Sequence, residues 1–249
     1  MSEKPVISKL LETTPELWRG RQPNRGQRTL PSGHARLDAC LPGGGWPLGA
    51  VSELIAGKSG LGEFSLLFPA LAGIGRQGQW VVLVDPPWIP YPASLCGHEL
   101  PLERLLLVRT RGDRESLWAC EQALRSGRGG AVLAWPERID FTRLRRLQLA
   151  ADANAKLAFL FRPESALAES SPAALRLHME ADGKAGTRIR VVKCRGSHPT
   201  GSAWISRPWS SGRAPQREPA QAPGARPLSV IGPARLPVSP TVKGHAPPG

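Results

Sequence analysis

The sequence predicts an α/β fold, a mostly parallel sheet covered by helices on both faces. Two observations carry this reading. Apolar runs of strand length at residues 50–55, 80–85, 105–108, 131–135 and 156–161 are too continuous for a sheet with a wet face. Segments with helical periodicity lie between them, which is the alternation of a parallel sheet with crossover helices. A chain of 249 residues, 41% hydrophobic, has enough for one sizeable core with residues left over.

The elements follow in order. Residues 5–18 place Val6, Ile7, Leu10 and Leu11 at helical spacing, with Thr14 as a cap and Pro15 in a first turn. Together with the basic stretch 19–28 they read as an N-terminal helical arm and linker, residues 1–28. The core begins at residue 29. A glycine-rich turn at 43–49 leads into the first buried strand, 50–55. Residues 63–74 read as a helix that Pro69 kinks or shortens. After the strand 80–85, Pro86, Pro87, Pro90 and Pro92 exclude helix and predict a stiff surface loop. Residues 113–126 form a helix with Leu117, Cys120, Glu121 and Leu124 on one face. Asp140 caps a helix over 141–154, with Leu144, Leu147 and Leu149 inward and Arg143, Arg145 and Arg146 outward. Residues 175–181 and 187–192 alternate and are joined by Asp182-Gly183-Lys184-Ala185-Gly186, a hairpin on the sheet edge. The core closes at residue 198. Residues 199–249, rich in Pro, Gly, Ser and Arg, read as a basic flexible tail with too little apolar surface to fold alone. Its anchors are Trp204 and Trp209, which either close the last strand onto the core or form a docking motif.

The net charge is +13 and the isoelectric point about 10.7. Such a chain attracts acidic partners, nucleic acid first, although a solubilising surface gives the same balance. Arg143, Arg145 and Arg146 are the candidate nucleic-acid contacts on the core. The four cysteines are far apart, and with five histidines they form no metal-ligand spacing. They read as reduced thiols of a cytoplasmic protein. No signal peptide opens the chain and no run is long enough to span a bilayer.

The chemistry turns on residues 57–64, Gly57-Lys58-Ser59-Gly60-Leu61-Gly62-Glu63-Phe64, between a strand and a helix. Gly57 and Gly62 keep the glycine spacing of a phosphate-binding loop. Such a loop then needs a lysine for the outer phosphates and a hydroxyl for magnesium. Here Glu63 and Phe64 follow: a carboxylate repels triphosphate, and a phenyl ring cannot ligate a metal. The loop is either a vestigial phosphate site or a glycine-rich turn that never held phosphate. No cofactor and no metal are expected.

The order of motifs carries a resemblance. Thr29-Leu30-Pro31-Ser32-Gly33, Leu37-Asp38, Gly44-Gly45-Trp46-Pro47-Leu48-Gly49 and Glu53-Leu54-Ile55 before the loop resemble the RecA recombinase family, over residues 30–195. Val191-Val192-Lys193-Cys194-Arg195 is similar to that family's closing strand. Lacking a working loop and carrying a basic, proline-rich tail, the chain is most similar to the ImuA group, RecA-like accessory proteins of bacterial translesion synthesis. The SulA group of cell-division inhibitors is the rival.

The resemblance implies a RecA-like core that has lost its ATPase. The loop lysine and hydroxyl fall at Glu63 and Phe64, the catalytic glutamate at Pro87, the metal-side aspartate near Trp135 and the nucleotide-sensing glutamine near Arg162. It also implies a kept feature: Lys193 and Arg195 match two basic residues that reach a neighbouring subunit's ATP, which suits them to an ATP held by RecA. An ordinary solvated basic pair on an edge strand is the plainer alternative. The implied function is an adaptor in SOS-induced lesion bypass, a non-enzyme binding RecA, the polymerase-like ImuB with its error-prone polymerase complex, and DNA through basic surface and tail, with no membrane. Lys193, Arg195, Trp204 and Trp209 are its candidate partner contacts. The alternatives are a SulA-like inhibitor of FtsZ, a sequence-independent DNA-binding module, and an unusual ATPase using Lys58.

Overall fold

The computed structural model describes residues 28–58, 60–183, 186–196 and 201–206, and the backbone of Ser229–Ile231. The N-terminal arm, Trp209 and most of the tail lie outside the described residues. Among the described residues nine strands form one sheet in the order β10-β9-β8-β3-β7-β6-β4-β5-β11. They are β3 (Ala50–Ala56), β4 (Trp80–Val84), β5 (Leu105–Val108), β6 (Gly129–Ala134), β7 (Leu157–Pro163), β8 (Leu175–Asp182), β9 (Gly186–Cys194), β10 (Ser202–Ser206) and β11 (Ser229–Ile231). From β8 to β11 every pairing is parallel; β9 runs antiparallel between β8 and β10. A two-stranded ribbon, β1 (Thr29–Leu30) with β2 (Trp46–Pro47), and the short helix α1 (Ala35–Asp38) precede the main sheet.

Successive strand residues point to opposite faces, so each central strand feeds two cores. Val81 and Leu83 join Leu133, Phe159 and the helix α2 (Phe68–Arg76) on one face. Val82, Val84, Val132 and Leu160 join α4 (Asp113–Arg125) and α5 (Phe141–Ala153) on the other. A short helix, α3 (Pro92–Gly97), begins on Pro92 itself, the last proline of the stretch expected to exclude helix, because a first-turn proline needs no N–H partner. Gln148 ties α5 to the start of β3, its side chain accepting from Val51 N–H at 3.0 Å and donating to Gly49 C=O at 3.1 Å.

Three further expectations change. The helix expected from residue 63 begins at Phe68, after a 3-10 turn at Ser65–Leu67, because Pro69 has no N–H to give and fits only a first turn. Leu149 points outward and is exposed. Five residues beyond Leu144, at about 100° each, it lies about 140° around α5 from the buried stripe. The hairpin β8–β9 is not the sheet edge, because β10 pairs beyond it through Ser202–Arg190 to Ser206–Gly186. Trp204 therefore closes a strand onto the core, its ring lying where a Cβ on Gly186 would come within 2.2 Å.

Candidate functional site

The C-terminal ends of β3, β4, β6 and β7 open into one cleft of about 790 Å³. Open α/β sheets bind ligands there, beyond the carboxyl ends of their strands. The loop after β3 forms one wall with Gly57, Lys58, Gly62, Glu63 and Phe64; Pro87 and Trp88 follow β4, Trp135 to Arg138 follow β6, and Arg162 and Ser165 come from the β7 end. The residues singled out as departures from a nucleotide site, Glu63, Phe64, Pro87, Trp135 and Arg162, thus surround one space.

Aromatic rings fill its floor. Phe64 packs 4.9 Å from Phe68 and meets Trp135 edge-on at 6.4 Å. Trp135 stacks on Phe161 at 4.4 Å with the planes 4° apart. Pairs of this kind add roughly 0.5–1.5 kcal/mol each beyond area burial. The loop is pinned from outside, since Thr187 Oγ1 donates to Leu61 C=O at 2.6 Å. Gly60 and Gly62 hold φ of +91° and +88°, the left-handed region that favours glycine. A Cβ at Gly57 would lie 2.5 Å from Glu164 Oε2, the tip of an exposed side chain that can move away.

Behind the floor lies a buried ion cluster that the sequence reading missed. Glu53, 1% exposed, meets Arg176 at 2.7 Å and Arg162 at 3.6 Å. Arg162 reaches Glu169 at 2.7 Å, and Arg176 also donates to the carbonyls of Ala166 and Glu169. Arg162 lines the cleft, yet its two Nη groups face these carboxylates and its buried Nε has no hydrogen-bond partner among the described residues. Its signal was in the chain: charges inside apolar strands demand opposite partners.

The rim presents a second missed feature. Asp85 turns at φ +48° and accepts from Thr110 N–H at 2.7 Å and Thr110 O–H at 2.6 Å, while Arg109 donates to Pro86 C=O. On this anchored base Trp88, Ile89 and Tyr91 stand 75%, 70% and 73% exposed. The proline clustering signalled the stiff loop, and the interleaved aromatics signalled its use.

The other candidates are elsewhere. Lys193 is half-buried and its ammonium donates to Ser171 C=O. Burial, then the charges of Arg176 and Arg195, lower its pKa against an opposing pull from Glu53. Arg195 is exposed, its backbone N–H donating to Ala174 C=O at 2.7 Å. Trp204 is 39% exposed. Arg143, Arg145 and Arg146 are all exposed on α5, but Arg143 pairs with Asp140 at 3.2 Å and Arg146 with Glu121 at 2.7 Å. Among the described residues no group of three His, Cys, Asp or Glu is arranged to hold a metal, and no helix is long and apolar enough to cross a membrane.

No family model matches the chain. It is similar to Protein ImuA of Caulobacter vibrioides, 28% identical over 211 residues, covering 75% of this chain and 86% of that protein. It is also similar to the cell division inhibitor SulA of Edwardsiella piscicida, 32% identical over 125 residues, covering 50% of this chain and 74% of that protein. The chain belongs to the ImuA/SulA family. A second SulA, from Pectobacterium atrosepticum, is 30% identical over 125 residues, 47% of this chain and 71% of its own. This ImuA/SulA member thus shares the longer span with ImuA, and the higher identity over a shorter span with SulA.

Proposed function

We propose that this ImuA/SulA protein is a non-catalytic, RecA-like accessory protein of damage-induced mutagenesis, an adaptor between RecA and the ImuB-containing lesion-bypass polymerase complex. The observation that carries the reading is the Phe64 ring, set between Phe68 and Trp135 at the position where the resemblance puts a magnesium-binding hydroxyl. Glu63 beside it places a carboxylate where a phosphate-neutralising lysine belongs. A triphosphate entering this cleft meets repulsion and an apolar floor. The 211-residue match to ImuA favours that branch of the family. Lys193 and Arg195 are proposed contacts to RecA; of the two, exposed Arg195 is the freer to make them. The test is capture of the purified full chain by ATP-loaded RecA and by ImuB, with magnesium-dependent ATP binding measured in parallel. Capture by either partner without ATP binding is expected. Tight ATP binding would overturn the reading.

The match to SulA supports a second reading, binding of the division protein FtsZ. Retention on FtsZ with none on RecA or ImuB selects it.

A further inference from the structure

The cleft and its rim have the composition of a polyproline-binding groove. Trp88 stands exposed on the rim, Trp135, stacked on the buried Phe161, lines the floor, and the walls carry the carboxylates of Glu63 and Glu137 alongside Lys58 and Arg138. Proline-rich segments dock in aromatic-lined grooves of this kind because their extended helix is already ordered. The chain itself holds a matching ligand in Arg235-Leu236-Pro237-Val238-Ser239-Pro240, two prolines three apart with a cation two residues before the first.

The sheet topology delivers that segment to the cleft. β11 pairs parallel with β5, Ile231 opposite Val108, and Val108 lies opposite Val84 at the end of β4. Ile231 therefore lies at the end of the sheet where the cleft opens. Two strand spacings, about 10 Å, separate β11 from β4, and three, about 14 Å, separate it from β6. Nine residues from Gly232 to Pro240 span about 28 Å as a polyproline helix. The reach exceeds the need.

We propose that residues 233–240 of this chain dock in its own cleft, prolines against Trp88 and Trp135 and Arg235 toward Glu63 and Glu137. This goes beyond the adaptor reading and does not depend on it.

The test uses the full chain and the indole N–H resonance of Trp88, identified as the signal lost in Trp88→Phe. In the unsubstituted protein that signal is expected to be shielded from a soluble paramagnetic probe, at every protein concentration. Pro237→Ala/Pro240→Ala and Arg235→Glu are expected to shift it and remove the shielding. A synthetic peptide of residues 232–249, added to the double proline variant, is expected to restore both. An unmoved Trp88 signal in both variants overturns the proposal. So does shielding that disappears on dilution, which assigns the groove to a second copy. Loss of shielding that the peptide fails to restore also overturns it.

Discussion

At the scale of single residues, the strongest constraints are buried charges. Glu53 balances Arg176 and Arg162 in a space without water access. Removing one member of such a group leaves the others uncompensated, which costs roughly 3–5 kcal/mol. Glu53→Gln should lower the urea midpoint accordingly with an unchanged slope, whereas the double change Glu53→Met/Arg176→Met should cost less than Glu53→Gln alone. Lys156 is the opposite case, a buried ammonium whose Nζ has no hydrogen-bond partner among the described residues. Burial lowers its pKa below the ordinary 10.5. Between the two values the native state binds fewer protons than the unfolded state, so stability rises with pH there, and the penalty is gone above 10.5. Lys156→Met should therefore raise Tm at pH 7, with the gain shrinking as the pH climbs toward the unfolded pKa. Burial also pushes the Cys120 thiol up to about 12, while Cys96 is exposed. A thiol reagent at pH 8 should label Cys96 in the native protein and reach Cys120 only on unfolding.

At the scale of elements, what was legible is what periodicity writes. The central strands and both long amphipathic helices could be read because burial on two faces or on one stripe repeats along the chain. Three things could not. Pro69 was visible, but whether it kinks a helix or begins one is settled by the 3-10 turn at Ser65–Leu67, which ends just before it. The strands β10 and β11 are short segments within proline- and arginine-rich surroundings, and they exist only because the sheet offers unpaired edges. The Glu53 cluster joins residues 123 apart, a distance no local pattern reports. Of the site, the vestigial loop was legible from glycine spacing; the aromatic floor needed β3, β6 and β7 to be side by side. Trp204 on Gly186 shows how closely β10 is fitted. Gly186→Val would drive its side chain into the indole, already 2.2 Å from an ideal Cβ. Trp204 should then leave its seat, read as a red-shifted emission absent from the Trp204→Phe background, while the parallel strands, none of which pairs with β10, keep their far-ultraviolet signal.

At the scale of the whole molecule, the question is where the excess positive charge acts. Residues 199–249 carry six basic residues against one acidic, residues 1–28 six against three, and residues 29–198 twenty-one against sixteen. The flanks thus supply +8 of the net +13 from less than a third of the chain. On the core, two of the three α5 arginines are engaged by Asp140 and Glu121, so a phosphate must compete with a carboxylate already in contact. Of the three, Arg145 has no such carboxylate among the described residues. The tail's six basic residues have only one acidic residue among them in sequence, so a phosphate there has few carboxylates to compete with. Single-stranded DNA binding should therefore be salt-sensitive and blind to sequence, with its salt dependence set by the tail. Neutralising Arg213, Arg217 and Arg226 to Gln in the full chain should flatten the slope of log affinity against log salt by roughly 0.7 for each arginine in contact. Arg143→Gln and Arg146→Gln should change it by far less, and Arg145→Gln by at most about one contact's worth. If the α5 substitutions flatten the slope and the tail substitutions leave it alone, the nucleic-acid face is on the folded core and the tail's charge serves another partner.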